Sequence, residues 1–161
     1  MLNYGAYSQS YFGYNESSLA NEGLSNTDVS SVIAETINKP YVSKGTKLPD
    51  GVTFAGATLS LKSETTLSLY FKGLDVNTAF TCRDKRVETV KNGGYVVARI
   101  RGIKAEKLTD DFILCFGDYS VKYSPMTYCY NVLGGGSDND KLQNVCRALY
   151  LYAQAAKNYA G

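Results

Sequence analysis

The sequence predicts an α+β fold: a six-stranded antiparallel β core arranged as a sandwich, with two terminal helices and a short third helix packed together. Three observations carry this reading. Both ends repeat aromatic or apolar residues at three- and four-residue spacing, the middle alternates polar and apolar residues in short runs between turn signals, and 161 residues suit one domain with room for a core. Along the chain this gives an N-terminal helix over 1–14, a β core over 54–124 and C-terminal helices over 125–160 within a single domain, 1–161.

Over residues 2–12 the pattern is helical, with Tyr4, Tyr7, Tyr11 and Tyr14 spaced three, four and three apart along one stripe. No N-cap precedes it, so the chain reads as a module excised from a longer parent, starting inside a helix. Residues 15–23 close that element. Asn26 or Thr27 then caps a short helical stretch, DVSSVIAETI, which Lys39-Pro40 breaks, and residues 43–53 form a turn-rich connector.

The strands follow. FAGATLSLKS sets Leu59 and Leu61 against Thr58, Ser60 and Lys62, and TTLSLYFKG sets Leu67, Leu69 and Phe71 against Ser68, Tyr70 and Lys72, with Ser63 and Glu64 at the turn. A second hairpin joins AFTCRDKRVETV to YVVARIRGI through Asn92-Gly93-Gly94, and a third joins DFILCF to YSVKYS around Gly117-Asp118. Helix returns at Ser124-Pro125, an N-cap followed by Pro at the first helical position, and Gly134-Gly135-Gly136 ends it. The last helix covers residues 141–159, with Leu142, Val145, Cys146, Leu149, Ala153 and Ala156 as its buried stripe. Tyr152 and Tyr159 there mirror Tyr4 and Tyr11, so the two terminal helices should pack through small residues flanked by tyrosines.

Composition narrows the chemistry. The chain has no His and no Trp but 14 Tyr and 6 Phe, which excludes Ser-His-Asp and Cys-His centres, histidine zinc sites and histidine pH switches. Net charge is +2, with local basic groups only at Arg83, Lys85 and Arg86 and at Arg99, Arg101 and Lys104. A pI of 8.2 lies below the value of about 9 typical of nucleic-acid-binding domains. Cys82, Cys115, Cys129 and Cys146 are 33, 14 and 17 residues apart, without metal-ligand spacing, and their apolar company predicts buried thiols. No apolar run approaches a membrane span, and Met1 is not followed by a signal-peptide pattern.

Several stretches together carry a resemblance: MLNYGAYSQSYFGYN with LANEGL, FAGATLSLKSETTLSLYFKG, and YSPMTYCYNVLGG followed by VCRALYLYAQAAKNY. They resemble a recurring non-catalytic module of large secreted or surface multidomain proteins of anaerobic gut Firmicutes, found near the C-terminal end beside repeats, adhesion domains or glycan-degrading modules. The resemblance covers most of the chain and includes no catalytic motif. It implies an extracellular or cell-surface location and an accessory role.

Tyrosines at helical spacing read as packing. On strands, Tyr70 shares a face with Ser68 and Lys72, and Tyr95 shares one with Arg99 and Arg101. These offer rings for the apolar face of a sugar beside charged donors for its hydroxyl or acidic groups. Asp84, Glu88, Asp110, Asp111 and Asp118 are the carboxylates a glycosidase pair would draw on, but their places suit turns. Ser137-Asp138-Asn139-Asp140 lacks the EF-hand ligand pattern and reads as a helix cap, and the Gly run lacks the Lys of a phosphate loop.

The expectation is therefore a non-catalytic extracellular accessory module that binds carbohydrate or acts in adhesion, through Tyr70, Tyr95, Arg99 and Arg101. The alternative is a structural or protein-interaction module that spaces or docks neighbouring domains; a carboxylate-based glycoside hydrolase ranks third. No catalytic residue, metal ligand or cofactor is expected. The expected partner is a glycan or a neighbouring protein domain, with no nucleic acid and no membrane insertion, and the excised module should be monomeric.

Overall fold

The computed structural model describes residues 2–13, 28–37 and 47–161. Tyr14 of the predicted stripe, the closing segment 15–23, the Asn26 or Thr27 cap, Lys39-Pro40 and the first part of the 43–53 connector lie outside them. The protein is α+β, with three α-helices and eight strands in two antiparallel sheets among the described residues. Contacts resolve two compact units, Tyr41–Tyr128 and the combination of Met1–Pro40 with Cys129–Gly161.

The β unit contains β1 (Thr53–Leu61), β2 (Thr65–Lys72), β3 (Thr81–Cys82), β4 (Lys85–Arg86), β5 (Glu88–Asn92), β6 (Tyr95–Ile100), β7 (Phe112–Phe116) and β8 (Tyr119–Tyr123). One sheet has the order β1-β2-β6-β5, the other β4-β3-β7-β8. The first and third hairpins form where alternation and turn residues place them, Leu61 pairing with Thr65 and Phe116 with Tyr119. The six-strand expectation is corrected to eight strands at AFTCRDKRVETV. There Arg83 and Asp84 take positive φ (52° and 61°) and fold β3 back onto β4, and at Val87 the chain leaves one sheet for the other. Asp tolerates that backbone conformation better than most residues, so a tight turn fits where no Asn-Gly marks it.

The core follows from the alternation. Leu67, Leu69 and Phe71 of β2 are fully buried, as is Leu114 of β7, and Val121 of β8 is nearly so. Four phenylalanines join the sheets: Phe71 meets Phe54, Phe80 and Phe116 at ring-centroid distances of 5.4, 5.4 and 5.5 Å. Phe54 also meets Tyr123 edge-on at 5.8 Å. The expectation that only one face of β2 and β6 is covered needs correction, because Ser68 and Val97 on the tyrosine face are also buried. They lie on the two central strands, with longer side chains beside them on the same face. Gly73 follows β2 at φ +81°, where a Cβ would collide with the Gly51 carbonyl oxygen, so only glycine fits.

The helical unit rests on α1 (Leu2–Tyr11) and α3 (Asp140–Ala160). Tyr4 and Tyr152 stack nearly parallel, with ring centroids 5.4 Å apart. On α3, Val145, Cys146, Leu149 and Ala153 of the predicted stripe are buried together with Ala148, while Leu142 and Ala156 are half-buried. Asn139 caps α3, its Oδ1 accepting the Leu142 N–H at 3.1 Å. The helix predicted for DVSSVIAETI is only a 3₁₀ turn, Ala34–Ile37. The Asp28 carboxylate accepts the Ser30 N–H at 2.8 Å, and serines with β-branched neighbours favour such turns over helix. Val29, Val32 and Ile37 are nevertheless buried, and the Arg147 guanidinium donates to the Val32 carbonyl at 3.0 Å.

The short helix α2 (Pro125–Asn131) spans the boundary between the units. Ser124 and Thr127 cap it reciprocally: the Ser124 hydroxyl accepts the Thr127 N–H at 3.0 Å, and Thr127 Oγ1 accepts the Ser124 N–H at 3.2 Å. Its end runs into a wider turn, Val132–Gly136, with Gly135 at φ +102°. No helix among the described residues is long and apolar enough to cross a membrane.

Candidate functional site

β6 carries three of the four singled-out residues on or next to one strand. With a period of two, Tyr95, Val97 and Arg99 share a face, and Arg101 follows just past the strand end. Tyr70 stands beside Val97 on the neighbouring strand, and its ring meets Tyr95 edge-on, centroids 5.9 Å apart at 83°. The Lys72 ammonium lies 5.3 Å from the Tyr95 ring centroid. Thr58 Oγ1 is 3.4 Å from the Tyr70 hydroxyl. Both tyrosines are half-buried, so their positions are set by packing.

Arg99 and Arg101 belong to a second cluster. Glu88 on β5 pairs with Arg99 across the ladder, their charged groups 3.7 Å apart, and accepts from Arg101 Nε at 2.6 Å. Arg101 also reaches Glu64 at 3.0 Å. The hydrogen bond from Arg101 holds the Glu88 carboxyl below its usual pKa range. The tyrosines and arginines are thus brought together as two pairs, Arg99 lying four residue steps along β6 from Tyr95, about 13 Å.

The arginine pair walls a groove of about 650 Å³ that the tyrosines do not line. It lies where β4, an edge of one sheet, passes through Val87 into β5, an edge of the other. Edges that belong to different sheets diverge there. The floor is apolar, made by Val87, Ile100, Ile103 and Phe112, each under a tenth exposed. The rim is basic. The β3–β4 hairpin supplies Arg83, Lys85 and Arg86, β6 and its extension supply Arg99 and Arg101, and the segment that follows supplies Lys104 and Lys107.

Those seven cations face only two lining carboxylates, Glu88 and Glu106. Since the whole chain carries +2, the remainder holds an excess of three negative charges, and the positive charge is concentrated here. Some rim cations are already engaged. Arg83 pairs with Asp110 at 3.1 Å and covers the Phe112 ring at 4.8 Å, and Lys107 reaches Asp110 at 3.7 Å. Among the described residues, Lys85, Arg86 and Lys104 have no carboxylate within ion-pair distance, and all three are exposed.

The two basic groups visible in the sequence were the signal for this groove. They are separated by a whole hairpin, and only the β5–β6 pairing brings them to one place. The other candidates take structural roles: Asn139 caps α3, Asp111 pairs with Lys122 at 2.6 Å, and Asp110 serves Arg83 and Lys107. Among the described residues no three His, Cys, Asp or Glu side chains gather to hold a metal. All four cysteines are free thiols, three of them buried and Cys115 half-buried. A hydrogen bond donated to Cys146 and full burial raise the Cys129 pKa well above that of an ordinary thiol.

No protein-family model, curated protein or solved structure significantly matches the chain.

Proposed function

We propose that this chain is a non-catalytic, extracellular accessory module that binds carbohydrate. The observation that carries the reading is β6, which presents Tyr95, beside Tyr70, and Arg99 on one sheet face and leads directly to Arg101 at the groove. A sugar needs apolar ring contact on one side and hydrogen-bond donors around its hydroxyls, and this strand offers both within about 13 Å. The ring-to-ring contacts between the two sheets support a sandwich, whose faces and edges suit chain-like ligands. The resemblance of several stretches to a module of secreted and surface proteins supports the location and the accessory role.

Glu88 is unsuited to act as the acid of a glycosidase pair. A glycosidase acid needs a raised pKa, whereas Arg101 holds this carboxyl low.

Affinity gel electrophoresis and a glycan array with neutral and acidic polysaccharides test the proposal. Retention by at least one polysaccharide is expected, weakened roughly tenfold by Tyr70→Ala or Tyr95→Ala, since losing a stacking ring removes about 1.4 kcal/mol or more. Absence of retention on every polysaccharide, or binding unchanged in both variants, overturns it.

A further inference from the structure

We infer that the groove between the β3–β4 hairpin and the end of β6 is a subsite for an anionic polysaccharide, with Lys85, Arg86 and Lys104 as its direct contacts. The inference rests on the carbohydrate reading above and names the ligand class for the part of the surface that the tyrosines do not reach.

The first argument is charge. A space of about 650 Å³ is roughly 9 Å across, close to the screening length of about 8 Å at physiological salt, so the fields of its rim cations overlap instead of being screened from one another. Four of those cations are tied to Glu64, Glu88 or Asp110. These pairs fix Arg83, Arg99, Arg101 and Lys107 in place. Lys85, Arg86 and Lys104 are left exposed, with no internal partner of that kind among the described residues. They are the groups with most to gain from an external anion, and they come from both sides of the opening, two from β4 and one from the segment after β6.

The second argument is shape. A single phosphate or sulfate ion is held by donors that converge on one point, whereas these cations are spread along an open groove with an apolar floor of Val87, Ile100 and Ile103. Distributed cations above an apolar floor fit a chain that carries anionic groups on rings with apolar faces. Uronate carboxylates and sulfate esters on a polysaccharide supply that chemistry. Nucleic acid fits less well, because among the described residues Phe112 is the only aromatic one lining the groove and Arg83 already covers its ring, which removes the platform that unpaired bases stack on.

The test uses isothermal titration of the full chain with polygalacturonate, which carries only carboxylates, and chondroitin sulfate, which carries both anions. A neutral galactan, poly-glutamate and duplex DNA complete the set. Either acidic polysaccharide should bind at least tenfold more tightly than the galactan, and which of the two is tighter identifies the preferred anion. The triple variant Lys85→Gln/Arg86→Gln/Lys104→Gln should lose that tenfold preference and lower the slope of log affinity against log salt by about three, one for each contact removed. Its unfolding midpoint should stay near that of the wild type, since exposed side chains seldom decide stability. Lys141→Gln, on α3, should leave binding unchanged.

Equal affinity for neutral and acidic polysaccharides overturns the subsite while leaving the carbohydrate reading standing, as does a triple variant with unchanged preference. If no polysaccharide binds, both readings fall. Poly-glutamate bound as tightly as the acidic polysaccharides shows charge attraction without sugar recognition, and DNA bound as tightly shows a nucleic-acid site; either result also overturns the inference.

Discussion

The two units employ their aromatic residues differently. In the β unit the rings at the centre are phenylalanines, with Phe71 and Phe80 wholly buried and in contact at 5.4 Å. In the helical unit the stacked pair is Tyr4 with Tyr152, both half-buried. A ring that must vanish between sheets cannot leave a hydroxyl without a partner, whereas a ring at the margin of a helix pair can keep its hydroxyl near solvent or a neighbour. Burial raises the Tyr4 hydroxyl pKa. The Tyr70–Tyr95 pair resembles the helical case in its half-burial but lies on a sheet face beside Lys72. The lesson is that tyrosine count alone says little about recognition. On the proposed carbohydrate reading, the rings that matter are those held half-exposed next to cations.

The sharpest way to break this contrast is Phe71→Ala. It should destabilise the β unit by about 3–5 kcal/mol, because the neighbouring rings cannot all collapse into the space left behind. Hydrogen exchange of the β2 and β6 amides would read the loss, and protection within 1 kcal/mol of wild type, on the order of a conservative substitution, would show that the cluster is not the core of this unit. A milder effect is expected from Tyr152→Leu. Losing the stack with Tyr4 should cost the α1–α3 pairing about 0.5–1.5 kcal/mol, seen as faster exchange in α1, while β6 protection stays unchanged. Equal effects from both variants would erase the distinction between the units.

The smallest effect concerns the groove. The folded-state pKa of Glu88 is lowered by Arg101, so its ionised form contributes stability above the ordinary glutamate range near 4.5, and that contribution is lost as pH falls through the depressed value. Unfolding midpoints of wild type and Glu88→Gln should therefore differ slightly near neutral pH and converge once the pH falls below the depressed pKa of Glu88. A gap that persists in acid would mean that Glu88 acts through packing instead of charge.

Much of the fold was legible because it is encoded locally. Alternation at Leu67, Leu69 and Phe71 marked a buried strand face, Asn92-Gly93 and Gly117 marked hairpins, and Ser124-Pro125 marked a helix start. The break at Arg83-Asp84 was not legible. Nothing in RDK forbids a continuous strand; Asp84 tolerates the turn, and the pairing of Cys82 with Leu114 on β7, far along the chain, is seen only in the tertiary structure. For the same reason the groove was visible only as two separate basic groups, and the tyrosine face of β2 and β6 was expected to be more open than the burial of Ser68 and Val97 allows.

The sequence alone determined the element types at most places, the absence of any histidine chemistry, and the identity of the basic residues that gather. Periodicity, capping and composition are properties of neighbours along the chain. The tertiary structure decided that the chain changes sheets at Val87, that Glu64 and Glu88 hold Arg101, and that Lys85, Arg86 and Lys104 meet around one groove. Those outcomes depend on strand pairings and ion pairs between residues distant in sequence, set by which arrangement buries the phenylalanines and the aliphatic strand faces together.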